Sequence, residues 1–136
     1  MRLVPDPGSG EVDVSASAEE LMRLANAVAL GEGVVSATSS PGSDTLTGIR
    51  INRTSGPGAF IHQDAERRIL VISGDSASRE ALAENLQSMA TAEDGGHLHI
   101  DYFPGHDYLA EGSVPLVVNS PHGGMPTGRV VGRPLG

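Results

Sequence analysis

The stretch GGHLHIDYFPGHDYL, residues 95–109, holds three of the chain's five histidines and both of its tyrosines. His97, His99, Asp101 and Phe103 recur at every second position, and Leu98, Ile100 and Tyr102 fill the gaps. Side chains alternate across a strand, so the first set points one way and the second the other. A polar row with an apolar reverse is the pattern of a strand that covers a core on one side only. Pro104 and Gly105 end the strand in a turn, and His106, Asp107 and Tyr108 follow it.

Around this strand the sequence predicts an α+β domain. In EVDVS, Val12 and Val14 share one strand face. The next segment, SAEELMRLANAVALG, has Ser17 and Glu20 at capping-box spacing and Leu21, Leu24, Ala25 and Val28 at helical spacing, with Gly31 as its stop. A helix is expected over residues 18–30. Strands are expected at 34–38, 45–54, 59–64 and 68–73. The unbroken apolar run Ile69–Ile72 marks a central strand. Asp75 or Ser76 opens a second helix over 76–91, with Leu82, Leu86 and Met89 as its apolar stripe. VPLVVN (114–119) is the last strand. No internal repeat stands out, although strand–helix–strand occurs twice. The expected architecture is two-layer: one mostly antiparallel sheet of six or seven strands with two helices on one face. The domain spans 1–119, and the Gly- and Pro-rich residues 120–136 form a flexible tail. The helices cover the face bearing Leu98, Ile100 and Tyr102, which leaves the His-His-Asp row facing solvent or a partner.

Composition narrows the function. The chain has 136 residues and no Trp, Lys or Cys. Without cysteine there is no disulfide, thiolate zinc site or Cys nucleophile. The formal net charge of −8 disfavours nucleic acid and anionic membranes and favours a basic protein partner. Arg50, Arg53, Arg67 and Arg68 fit ion pairing better than a nucleic-acid surface. No signal peptide or membrane-spanning run is visible, so a cytoplasmic setting is expected.

His97, His99, Asp101 and His106 could together ligate a metal, which would make the chain a small metal-binding domain or a metal-dependent hydrolase, since His-x-His on a strand aims two imidazoles to one side. The competing reading is the wet face of a sheet. A catalytic reading lacks its parts: there is no G-x-S-x-G and no phosphate loop, so neither enzyme activity nor a cofactor is expected. A binding surface accounts for more, because Tyr, His and Asp grouped on an open face and its adjoining loop combine aromatic and hydrogen-bonding contacts. An exposed edge strand could also pair with a second copy to give a homodimer.

The segment GGHLHIDYFPGHDYLAEGSVPLVV, after a helix ending SMATAEDGG, resembles immunity protein family thirty-two of bacterial polymorphic toxin systems. The likeness is strongest over residues 90–119 and looser at RILVISGD and EVDVSASAEEL. The resemblance implies an α+β domain that binds a cognate intracellular toxin and occludes it, without catalysis of its own. His97, His99, Asp101, His106, Asp107 and Tyr108 are the expected toxin-binding residues, with His62 and Arg50 extending the patch if strand order allows.

Overall fold

The computed structural model describes residues 1–39, 44–92 and 96–120. Eight strands and two helices follow in the order β1 (Arg2–Pro5), β2 (Val12–Ser15), α1 (Ala18–Leu30), β3 (Gly33–Ser36), β4 (Gly48–Arg53), β5 (Phe60–Asp64), β6 (Ile69–Gly74), α2 (Ser76–Thr91), β7 (His97–Ile100) and β8 (Leu116–Asn119). The helix bounds agree with the expected ones, for the expected reasons. Ser17 accepts from the Glu20 amide while Glu20 accepts from the Ser17 amide, and Gly31 closes α1 in the left-handed conformation at φ 90°. Asp75 is the N-cap of α2.

The single sheet does not form. The strands make two four-stranded sheets, ordered β1-β2-β8-β7 and β3-β4-β6-β5. Each has a parallel pair at its centre, β2 with β8 and β4 with β6, and an antiparallel strand on either side. Hydrophobic alternation fixes which face of a strand is buried, but it carries no information on which strands become neighbours. The central pair β2–β8 joins opposite ends of the chain. The β1 strand was hidden by Pro5 and Pro7; Pro5 closes an edge strand, where its missing N–H costs nothing.

The two sheets are related by an internal repeat. A constant shift pairs Leu3 with Ile61, Val12 with Leu70, Val14 with Ile72, Leu24 with Leu82, Ala25 with Ala83 and Val28 with Leu86, all of them buried. Register follows the same shift: Leu3 faces Val14 as Ile61 faces Ile72. The β1β2α1β3β4 half thus repeats as β5β6α2β7β8, and each half gives one hairpin to each sheet. Identical residues are few (Asp6/Asp64, Ser15/Ser73, Leu24/Leu82, Ala25/Ala83). The repeat lies in burial and register, which is why residue identity conceals it.

Both sheets and both helices share one core, built from Leu, Ile, Val and Ala. Connections tie the sheets together. The Leu46 amide donates to the Leu3 carbonyl (3.0 Å), and the Val114 amide to that of Ile61 (2.7 Å). The outer edges of β1 and β5 are thereby covered. β7 and β3 form the opposite edges of these two sheets. Of the expected tail, residues 121–136 lie outside the described residues. Ser120 is buried, and its amide donates to the Gly96 carbonyl at 2.9 Å.

Candidate functional site

The alternation of the opening stretch holds. His97 and His99 are exposed, Leu98 is half-buried against the core, and Ile100 is buried. Asp101 and Phe103 continue the exposed row. The two imidazoles meet edge to face with ring centroids 5.3 Å apart. β8 lies beside them: His97 pairs with Asn119, and His99 with Val117. Val117 pairs in turn with Asp13, and Asp13 with Val4. The outer face of this sheet therefore carries the row Val4–Asp13–Val117–His99. Asn119 Nδ2 donates to Asp13 Oδ1 (2.6 Å), to Ser15 Oγ (3.2 Å) and to the Val14 carbonyl (3.2 Å). Asn119 and Asp13 were missed as members of this face, because only strand order brings β2 next to β8.

The same strand order removes two expected members. His62 and Arg50 lie on β5 and β4 of the other sheet, each paired with Val71 between them, so neither is a strand neighbour of β7. His62 stacks on Phe60 at 5.3 Å, and its buried Nδ1 has no hydrogen-bond partner among the described residues.

The remaining candidates occupy the β7–β8 connection. His106 Nδ1 accepts from the amides of Tyr108 and Leu109, both at 3.1 Å, and its ring sits between Phe103 (4.8 Å) and Tyr108 (4.7 Å). An Nδ1 that accepts places any ring proton on Nε2. Tyr108 is half-buried, and its hydroxyl accepts from Asn85 Nδ2 on α2 at 2.7 Å. Burial pushes the Tyr108 phenol above its ordinary value, and the Asp107 carboxylate adds to this; the Asn85 bond opposes it. Asp107 is exposed. His106, Asp107 and Tyr108 line a cavity of about 660 Å³, together with Tyr102, the crossover loop at Ser55–Gly58, and Asp75 and Ser78 at the start of α2. The six expected residues thus divide between two surfaces: the outer face of β7 carries His97 and His99, with exposed Asp101 just past the strand's end at Ile100, short of the expected continuation to Phe103, and the cavity carries His106, Asp107 and Tyr108.

The proposed metal set is not assembled. Among the described residues no three His, Asp or Glu side chains are grouped closely enough to hold one ion. His106 is engaged in its own turn, so the strand and loop histidines do not converge. No helix among the described residues is long and apolar enough to cross a membrane.

Residues 69–121 match the family model of Immunity protein 32. The matched segment begins with the first residue of β6 and runs through α2, β7, the β7–β8 connection and β8. It contains all six candidate residues and most of the cavity wall. The chain resembles this immunity family from β6 to β8, within the second half of its internal repeat; β5 and the EVDVSASAEEL likeness fall outside the matched segment. No curated protein and no solved structure matches the chain.

Proposed function

We propose that this chain is an immunity protein that binds one cognate toxin inside the cytoplasm and neutralises it by covering its active surface, with no catalysis or cofactor of its own. The observation that carries this reading is the coincidence of the Immunity protein 32 match with the candidate surfaces. The matched segment holds the outward His97-x-His99-x-Asp101 row, the His106–Tyr108 turn and the strand beside them. The rigid layer beneath supports such a role. β7 is fastened to β8 at the centre of its sheet, and Tyr108 is anchored to α2 through Asn85, so both surfaces are held in place before a partner arrives. A net charge of −8 would speed encounter with a basic toxin.

The test is co-expression with the product of the adjacent gene. The chain should rescue growth and co-purify with that product, and the triple variant His97→Ala/His99→Ala/Asp101→Ala should weaken both while melting like the parent. If the parent chain gives neither rescue nor a complex, the proposal is wrong.

A further inference from the structure

We propose that the cavity between the β7–β8 connection, the crossover loop and the start of α2 receives a single basic side chain, arginine foremost, from the protein partner. This rests on the immunity reading only for the partner's identity; the cavity's own preference stands apart from it.

Three acidic residues line the cavity, Asp75, Asp107 and Glu111, and among the described residues no Arg lines it. Asp75 accepts from the Gly58 amide at 3.0 Å. The Ser78 hydroxyl, with the Gly58 amide, holds its carboxyl below the ordinary range, so it is ionised at neutral pH. Asp107 and Glu111 are exposed and have no ion pair or hydrogen bond from their carboxylates among the described residues. Three other carboxylates are already taken by arginine: Glu19 by Arg23, Glu32 by Arg53, and Asp64 by Arg67. The start of α2 contributes a partial positive charge. Asp75 offsets it locally, which leaves the two free carboxylates as the dominant charge.

The walls favour the same occupant. Tyr102, His106 and Tyr108 line the cavity beside these carboxylates. A guanidinium stacks on aromatic faces while donating to carboxylates in its plane, a combination that suits arginine better than lysine. The cavity volume of about 660 Å³ lies within the usual range for a bound group, roughly 300–1,000 Å³. Two of its walls, the crossover loop and the β7–β8 connection, are joined by the Ala59 amide to the Tyr108 carbonyl (2.7 Å) and by the Ala110 amide to the Ala59 carbonyl (2.8 Å). The cavity is therefore formed in advance of binding.

The cavity can be tested without the toxin. Amide shifts of the full chain are followed by NMR while N-acetyl-arginine amide is added, with the neutral isostere N-acetyl-citrulline amide as control. Saturable shifts confined to Ser55, Ser78, Tyr102, Gly105 and Glu111, with a Kd on the order of millimolar, are expected for the arginine probe and not for the citrulline probe. The double variant Asp107→Asn/Glu111→Gln, whose side chains hold nothing in the fold, should lose them while melting like the parent. Equal shifts from both probes, none from either, or arginine shifts that persist in the double variant would each overturn the proposal. The toxin supplies a second readout. If the parent protects and the double variant binds toxin unchanged instead of about tenfold more weakly, the cavity proposal fails and the immunity reading stands. If arginine binds as expected but the parent gives no protection, the reverse holds.

Discussion

Arg79 occupies the place in α2 that Leu21 occupies in α1, and it too is buried. Its Nε donates to the Gly74 carbonyl, and its Nη1 donates to the carbonyls of Val28 and Ala29, each at 2.9 Å. These last two are orphan acceptors at the C-terminal end of α1, which has no other basic residue in its last turn. A Cβ on Gly31 would stand 2.5 Å from Arg79 Nη1, so the left-handed stop of α1 also makes room for the guanidinium. Arg79→Leu should cost about 2–4 kcal/mol, although it restores the residue of the first half, because two buried carbonyls and one partly buried carbonyl lose their donor. Urea unfolding measures this; a loss under about 0.5 kcal/mol would mean that the carbonyls find other partners. His99→Ala, on the outer face, should by contrast stay within about 0.5 kcal/mol of the parent.

Titration belongs to the same scale. Asp6 is held below the ordinary carboxylate range by the Ser9 hydroxyl and the Gly8 amide, and Glu20 by the Met1 ammonium and the Ser17 amide. With Asp75 they form a set whose folded pKa values are depressed. Their contribution is complete above the unfolded carboxylate pKa of about 4 and is lost as pH falls through the folded values. Tyr108 is raised instead, so its contribution is present below about pH 10 and is lost as pH rises through the folded value. The urea midpoint should therefore fall at both extremes, and Tyr108→Phe should flatten the alkaline fall alone. An alkaline limb unchanged in that variant would contradict the assignment.

At the scale of elements, the sequence revealed what is local. Both helices were legible because caps and apolar stripes are written within a few residues of one another. The β7 face was legible because HLHI alternates without interruption. Arg79 was not legible as a buried residue, since nothing in SASREAL marks the α1 carbonyls that would receive it. Nor was the crossover between β4 and β5, which passes over the end of β6. A Cβ on Gly74 would lie 2.8 Å from Ala59 Cα and 2.9 Å from the Gly58 carbonyl oxygen, so the loop can pass only over a glycine. Gly74→Ala should displace the 54–59 segment and cost about 1–3 kcal/mol. It should also alter arginine binding in the cavity that this segment lines, which NMR shifts at Ser55 and Gly58 would report.

At the scale of the molecule, two halves exchange hairpins across a common core. The parallel pairs β2–β8 and β4–β6 both depend on this: the first spans the two halves directly, and the second crosses the loop that joins them. Neither pairing could be read from the chain, since register and neighbour choice depend on contacts far apart in sequence. The halves should complement in trans. Co-expressed fragments 1–54 and 59–136 are expected to co-purify with native-like circular dichroism, while neither alone unfolds cooperatively. Independent folding of either fragment would contradict the exchanged arrangement. The exchange also bears on the site: it seats the β7–β8 hairpin of the second half beside β2 of the first, which brings Asp13 next to Val117 on the outer face.

Hydrogen–deuterium exchange on the complex with the adjacent gene's product tests the central claim most directly. Binding should slow exchange over residues 97–111 and at Ser55–Gly58, and leave α1 unchanged. Protection confined to α1 or β3, with 97–111 exchanging as in the free chain, would contradict the account.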